Sequence, residues 1–276
     1  MIALTGVTGA VGGRVAALLA DQPLRMLVRD PSRAPRIDGA EVVAFDYSDS
    51  QDALVDALDG VDTLFMVSAA ESADRRLQHR NVVAAAELAE VGHIVYTSFS
   101  GAAPDATFTL GRDHADTESA IHEAGLSATL LRDNLYSDLL PYFADAAGVI
   151  RGPAGEGRVA AVARADVATV AAAVVRQPAH HAGLTYTLTG PEALTMTEIA
   201  ARAGALLGRD LQFVDQSLEE AYAQRAADFP GTPQWQLDAW VSTYVAMHDG
   251  SLATVTDDVE RLTGRPALTI EQALAG

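Results

Sequence analysis

Ile2-Ala3-Leu4-Thr5-Gly6-Val7-Thr8-Gly9-Ala10-Val11-Gly12-Gly13 opens the chain and runs on into Arg14-Val15-Ala16-Ala17-Leu18-Leu19. The apolar run Ile2–Thr5 predicts a strand, and the Ala-rich stretch to Leu19 predicts a helix. Between them the glycines fall in the spacing G-x-x-G-x-x-G, and each has its own duty. Gly6 permits the sharp turn out of the strand. Gly9 lets the backbone approach a diphosphate with no Cβ in the way, and Gly12 lets the helix pack close to the sheet. The first turn of such a helix presents free N–H groups and partial positive charge. Thr8, Ala10 and Val11 therefore join the three glycines as candidate diphosphate contacts.

Outward from that turn, short apolar runs alternate with amphipathic segments, the signature of βαβ units and a parallel sheet. Strands are expected near Ile2–Thr5, Leu24–Val28, Val42–Phe45, Thr63–Val67, Ile94–Ser98, Ala128–Arg132 and Leu184–Leu188. Helices are expected near Ala10–Leu19, Ser50–Leu58, Ala73–Val91, Asp113–Ala124 and Asp166–Val175. The rhythm breaks at Tyr136–Gly157, whose Ile150-Arg151-Gly152-Pro153-Ala154-Gly155-Glu156-Gly157 reads as a loop or hairpin. Beyond Pro191 the pattern is mainly helical, with Thr195–Leu207 and Glu219–Ala227 as helices, and aromatics are dense at Trp235, Trp240 and Tyr244. The expected fold is α/β: a Rossmann-type doubly wound parallel sheet over residues 1–190 and a smaller, mainly helical C-terminal lobe over 191–276, to which 134–158 contributes.

Composition narrows the chemistry. Among 276 residues there is no cysteine, which excludes disulfides and thiol nucleophiles. All 19 basic residues are arginine, so Schiff-base and P-loop lysines and a Tyr-x-x-x-Lys dyad are equally excluded. The net charge of −18 opposes binding to nucleic acid, which needs a dense basic patch; the one local cluster, Arg75, Arg76 and Arg80, reads as the solvated face of a helix. No apolar run is long enough to span a membrane. The seven histidines are scattered without acidic partners at ligand spacing, so no metal is expected. A start that enters a strand at once, without a basic leader, is read as cytoplasmic.

The second strand addresses cofactor choice. An acidic residue at its tip favours NAD, through the ribose 2′-hydroxyl, and arginine there accommodates the 2′-phosphate of NADP. Leu24–Val28 ends in Arg29, followed by Asp30-Pro31-Ser32-Arg33. Arg29, assisted by Arg33, points to NADP(H), while Asp30 leaves NAD(H) as the alternative. Asp46, after the third strand, reads either as a contact to the adenine amino group or as the cap of a turn before Ser48. Ser68, ending the fourth strand, is expected to face the cofactor's ribose or pyrophosphate.

Several blocks together carry a family resemblance: TGVTGAVGG, LVRDPSRA, QHRNVVAAAELA, IVYTSFSGA, HADTESAIHEAGLSATLLRDNLYSD and VARADVA, in that order. They resemble the NmrA-like branch of atypical short-chain dehydrogenases, most of all the bacterial type 2 NAD(P)H:quinone oxidoreductases. The resemblance implies a Rossmann core with a small C-terminal lobe, bound NADP(H), and hydride transfer to quinones. It implicates Gly6–Gly12, Arg29, Asp46, Ser68 and Asn134–Tyr136. Some relatives carry a catalytic lysine where this chain has His114, and ordinary dehydrogenases carry a tyrosine where it has Leu110.

His114, Tyr136 and His79 are the candidate catalytic residues. His114 is the best proton donor, since an imidazole can be protonated near neutral pH; its alternative is packing at the start of a helix. His79 borders the expected cleft or else sits on a surface helix. Asn134 bonds the nicotinamide or orders the loop after strand six. Reducing a ketone makes a strongly basic alkoxide that calls for a positioned acid, whereas a reduced quinone is far less basic. The missing dyad therefore favours a quinone or a similar flat electrophile. Two other readings stand beside this one: a non-catalytic NADP-binding sensor, and a reductase of one specific carbonyl or imine. A homodimer through exposed helices is left open.

Overall fold

The computed structural model describes residues 1–276. Its main sheet has seven strands: β1 (Ile2–Leu4), β2 (Leu24–Val28), β3 (Glu41–Ala44), β4 (Thr63–Met66), β5 (His93–Phe99), β6 (Ala128–Asp133) and, after the two short strands described below, Thr185–Leu188. Their spatial order puts β3, β2, β1, β4, β5 and β6 side by side and closes with Thr185–Leu188. β1 pairs in parallel with both β2 and β4, with Leu4 opposite Met26 on one side and Phe65 on the other. The chain order thus reverses between β1 and β4, which is the switch point where open α/β sheets bind ligands beyond the strand C-termini.

The central strands are the most deeply buried, as expected of a parallel sheet covered on both faces, whereas the edge strand β3 is mostly exposed. β4 and β5 are buried at every position. Between the strands lie α1 (Ala10–Leu18), α2 (Gln51–Leu58), α3 (Arg75–Leu88), α4 (Thr109–Glu123) and α5 (Arg164–Arg176). α2 begins where the Ser50 hydroxyl accepts from the Ala53 N–H, a helix start readable from sequence. Leu54 and Leu58 of α2 pack with Val82, Val83 and Ala86 of α3 and with Tyr96 in one buried cluster.

By its contacts the chain divides into two compact units. The first comprises Met1–Phe99, Asp113–Arg132 and Val167–Tyr186; the second comprises Ser100–Arg112, Asp133–Asp166 and Thr187–Gly276. In the second unit the stretch expected to be a loop or hairpin is a loop at residues 153–157 between two short strands that do not pair with each other. β7 (Val149–Gly152) pairs in parallel with the distant Gln212–Asp215, while β8 (Arg158–Val159) pairs antiparallel with Leu194–Thr195. Its glycines are there for close approach. A Cβ on Gly152 would stand 2.4 Å from the Tyr244 ring, and one on Gly157 would stand 2.3 Å from the Met247 carbonyl.

Numbering the later strands in chain order, Thr185–Leu188 is β9, Leu194–Thr195 β10 and Gln212–Asp215 β11. Five helices follow Pro191: α6 (Met196–Leu207), α7 (Leu218–Asp228), α8 (Gln234–His248), α9 (Asp258–Thr263) and α10 (Ile270–Ala275). The aromatic-rich stretch is α8, with the Arg225 guanidinium 5.1 Å from the centre of the Tyr244 ring. No helix is long and apolar enough to cross a membrane.

Candidate functional site

The glycine turn between β1 and α1 is built as its spacing predicts. Gly6 has φ of +66°, and a Cβ there would stand 2.8 Å from that of Val67. Its backbone therefore lies against the exit of β4. Gly12 is closer still: its Cβ would stand 2.3 Å from the Gly6 carbonyl oxygen. The Gly9 N–H folds back to that same oxygen at 2.9 Å. Gly9 caps α1 with no side-chain bond, and the first turn holds no acidic residue. An anion there meets open N–H groups and a bare backbone, which fits a dinucleotide diphosphate. Thr8, Ala10 and Val11 lie on that same turn, with Thr8 and Ala10 exposed and Val11 buried.

At the tip of β2 the charges sort themselves. Asp30 caps the short 3-10 turn Pro31–Arg33 by accepting from the Ser32 N–H at 3.0 Å and from its hydroxyl at 2.7 Å. These bonds hold its carboxyl below the usual range. Arg29 and Arg33 are exposed and carry no ion pair, although twelve of the chain's 19 arginines are paired. Arg14, on α1, and Arg36 are likewise exposed and unpaired. In a chain of net charge −18, free guanidinium groups gathered on these segments suit an anionic ligand. Asp46 caps a turn, accepting from the Ser48 N–H at 2.9 Å and from its hydroxyl. The Ser48 bonds, and then the charge of Arg29, lower its pKa.

The segment leaving β4 is held by side chains from four directions. The Val67 N–H donates to Thr5 Oγ1 at 2.8 Å, and the Tyr47 hydroxyl donates to the Val67 carbonyl at 2.6 Å. The Ser68 N–H donates to Thr97 Oγ1 at 2.9 Å. The Ala69 N–H donates to His79 Nε2 at 2.8 Å, while Arg75 Nε donates to the Ala69 carbonyl at 2.9 Å.

Two predicted catalytic residues meet behind this segment. His79 is completely buried, and not on a surface helix face. Its Nδ1 lies 2.7 Å from Thr117 Oγ1, whose own proton goes to the Asp113 carbonyl at 2.9 Å. The ring must donate from Nδ1 and accept at Nε2, so the network assigns one neutral tautomer. Burial, and then the Arg75 charge, pull its pKa down to about 3. His114 is buried too. Its Nδ1 lies 2.9 Å from the Tyr96 hydroxyl and its Nε2 3.1 Å from Arg75 Nη2. Burial, Arg75 and His79 hold its pKa well below the ordinary value. The sequence suggested an imidazole charged near neutral pH; in these surroundings the ring is neutral and both its nitrogens are engaged. Arg75 is corrected as well: it is 4 % exposed, and only Arg76 and Arg80 face solvent, paired with Asp113 and Asp116.

In the second unit the segment after β6 is internally tied. Asn134 Nδ2 donates to the Leu252 carbonyl at 3.0 Å, and its Oδ1 accepts from the Leu135 N–H at 2.7 Å. The Tyr136 hydroxyl donates to Asp133 Oδ2 at 2.6 Å. Burial and the Asp133 charge raise its pKa well above the ordinary phenol value. Sequence reading missed the bracing roles of Thr5, Tyr47, Thr97 and Thr117, because the groups that they bond lie on other elements or far along the chain. It also missed the burial of Arg75, although Arg75, His79, Val82, Val83 and Ala86 share one helical stripe.

A profile of the NAD(P)H-binding family matches residues 6–178. The chain is 35% identical over 284 residues to quinone oxidoreductase 2 of Escherichia coli, covering 100% of this chain and 98% of that protein. It is 33% identical over 279 residues to an NAD(P)H azoreductase of Xenophilus azovorans, covering 99% and 96%. The crystal structure of an NADPH-dependent quinone oxidoreductase from Escherichia coli, complexed with NADPH, aligns with a TM-score of 0.89 at 33% identity, covering 100% of this chain and 99% of that one.

Proposed function

This chain belongs to the NAD(P)H-binding family, and from that premise we propose that it is an NADPH-dependent oxidoreductase whose acceptor is a quinone or a similarly flat electrophile. Bound NADPH supplies a hydride from its nicotinamide ring. The protein's own contribution is to bind and orient. The open turn Gly6–Gly12 takes the diphosphate. Arg29 and Arg33 take the 2′-phosphate, since Asp30 is occupied with Ser32. Ser68 lies beside the turn, one residue beyond the Val67 side chain that Gly6 touches.

One observation carries the choice of acceptor. Each proton donor named from the sequence is already engaged by a protein group. His79 is tied to Ala69 and Thr117, His114 to Arg75 and Tyr96, and Tyr136 to Asp133. No lysine exists to replace them. A positioned acid is worth roughly 10²–10⁴-fold in reducing a ketone, whose product anion is strongly basic. A quinone gives a weakly basic anion that water can protonate, so the same architecture suffices. The azo substrates named for one relative also fit an acceptor with no built-in acid.

The reading places the protein in the cytoplasm with a small-molecule partner, and it needs neither nucleic acid nor membrane. Self-association through exposed helices belongs to the same proposal. Leu77 and Leu88 of α3, 61% and 64% exposed, are the apolar side chains that would be covered, and light scattering tests it. The function itself is tested by mixing the protein with NADPH and a panel of small quinones and following nicotinamide absorbance. Oxidation across the panel is expected. Tight NADPH binding without turnover favours a nucleotide sensor, and oxidation with a single carbonyl or imine favours a dedicated biosynthetic reductase.

A further inference from the structure

Val67, Ser68 and Ala69 are not in a strand, so their backbone groups must find partners elsewhere or face a ligand. Five of the six are taken, and every partner is a side chain. Thr5 and Tyr47 hold the two of Val67, Thr97 holds the Ser68 N–H, and His79 and Arg75 hold the two of Ala69. The Ser68 carbonyl and the Ser68 hydroxyl are the polar groups left over, on a half-buried residue. The partners come from the end of β1, the β3–α2 turn, β5 and α3, so the segment is braced from several sides of the switch point.

Such bracing is unusual for a loop. A backbone carbonyl or N–H is normally matched by another backbone group, and side-chain partners are the minority. Here two of the five partners are an imidazole and a guanidinium, both almost fully buried. Burying polar groups is costly unless each is bonded. The His79 and Arg75 bonds grip the two sides of the one Ala69 unit, the N–H and the carbonyl. That grip fixes the residue next to Ser68 in both directions along the chain.

From this we infer that Arg75 and His79 are positioning residues for a hydroxyl-bearing part of the ligand: with Thr5, Tyr47 and Thr97 they preset the β4 exit so that Ser68 offers its carbonyl as acceptor and its hydroxyl as donor or acceptor. The inference rests on the nucleotide reading above. The chemical class recognised is a sugar diol, which can donate to a carbonyl and exchange bonds with a hydroxyl. In a dinucleotide lying along the switch point the diphosphate occupies the glycine turn, and Gly6 is in contact with Val67. The sugar served by Ser68 is then the one on the nicotinamide side, since the arginines that suit the 2′-phosphate sit at the opposite end, at the tip of β2. His79 acts through its neutral Nε2, which the Ala69 N–H requires as an acceptor.

The test compares two ligands by calorimetry. NADPH carries the nicotinamide ribose, and adenosine 2′,5′-bisphosphate lacks it while keeping the adenosine end. His79→Leu removes the acceptor for Ala69, and His79→Gln restores one at a similar reach. We expect His79→Leu to weaken NADPH at least tenfold while changing the bisphosphate less than twofold, with His79→Gln recovering most of the loss. Thr97→Val, which deletes the acceptor for Ser68 together with a long 3.5 Å bond to the Met66 carbonyl, gives the same selective loss and serves if His79→Leu does not fold. Equal weakening of both ligands, or unchanged NADPH affinity in Thr97→Val, overturns the inference. Failure of the wild-type protein to bind NADPH at all would instead remove the nucleotide reading on which it rests.

Discussion

Arg75 Nη2 stands 3.1 Å from His114 Nε2, and both side chains are buried. A guanidinium can only donate, so His114 accepts at that nitrogen and keeps its proton on Nδ1. Adding a second proton would set two cations against each other. At an effective dielectric of about 20 that repulsion is on the order of 5 kcal/mol. The pair explains why an imidazole at this place on α4 cannot serve as the charged acid that its position in the chain suggests.

Acid destabilisation follows from this. His79 and His114 both have folded pKa values below that of a free imidazole, His79 at about 3. Below pH 6.5 the unfolded chain takes up protons that the folded chain refuses, so stability rises with pH across that window and is fully present above it. With its folded value at about 3, the His79 ring alone removes roughly 1.5 kcal/mol between pH 6.5 and pH 5, and His114 adds to the fall in the same direction. Urea midpoints measured at pH 8, 7, 6 and 5 should be level over the first interval and fall over the last. His79→Gln should make the fall clearly smaller. A level profile down to pH 5 would mean that the rings are not held neutral.

Turnover should show the opposite insensitivity. Neither buried histidine titrates between pH 6.5 and 9, and the Tyr136 phenol is held well above its ordinary pKa by burial and by Asp133. We expect kcat with a small quinone to vary less than threefold over that range. Tyr136→Phe should change it by a similarly small factor, although the variant loses stability because Asp133 loses a bond, an effect of about 1–3 kcal/mol. A hundredfold drop in kcat for Tyr136→Phe would assign the proton to that hydroxyl and revive a carbonyl substrate.

The glycine turn separates packing from recognition. A Cβ on Gly12 meets only backbone, with the Gly6 oxygen at 2.3 Å and the Val7 nitrogen at 2.9 Å. Nothing there can rotate away, so Gly12→Ala should lower stability by about 1–3 kcal/mol and abolish measurable NADPH binding. A Cβ on Gly9 meets one atom, the Gly6 oxygen at 3.3 Å, a far smaller conflict than at Gly12 and one that a shift of a few tenths of an ångström relieves, while the approach of a diphosphate is blocked. Gly9→Ala should melt within a few degrees of the parent, about 2–4 °C per kcal/mol for a chain of this size class. It should nonetheless bind NADPH at least tenfold more weakly. Parent-like affinity in Gly9→Ala would displace the diphosphate from this turn.

The frame of this molecule was legible because its signals are local. Ile2–Thr5, the glycine spacing and the apolar strands each speak within a few residues. The support behind the site was not legible in the same way. Arg75 and His79 look like surface residues by type, yet they recur with Val82, Val83 and Ala86 at helical spacing. His114, Thr117 and Ile121 do the same on α4. A polar residue on an apolar stripe is the available signal, but its partner lies on another element and no local pattern names it. The pairing of β7 with β11 is hidden for a related reason: the two strands lie some sixty residues apart, and the glycines between them mark contacts with α8.

Cofactor preference rests on which charges at the tip of β2 are free. Asp30, the residue that could favour a bare ribose hydroxyl, is turned onto Ser32 by two bonds. Arg29 and Arg33 form no salt bridge, only the longer-range attraction to Asp46 and Asp30, so binding a phosphate breaks no existing ion pair. A hydrogen bond to a charged group contributes roughly 1.5–3 kcal/mol, or about ten- to a hundredfold in affinity. Arg29→Ala and Arg33→Ala should each weaken NADPH on that scale and leave NADH nearly unchanged, because NADH has no 2′-phosphate to lose. Raising ionic strength should narrow the gap between the two coenzymes in the parent and do little in the double variant, since the exposed contacts are screened by salt. Dissociation constants for both coenzymes in the four proteins decide it. A parent that binds NADH as tightly as NADPH, with Asp30→Ala weakening NADH, would place the selecting role on Asp30 instead.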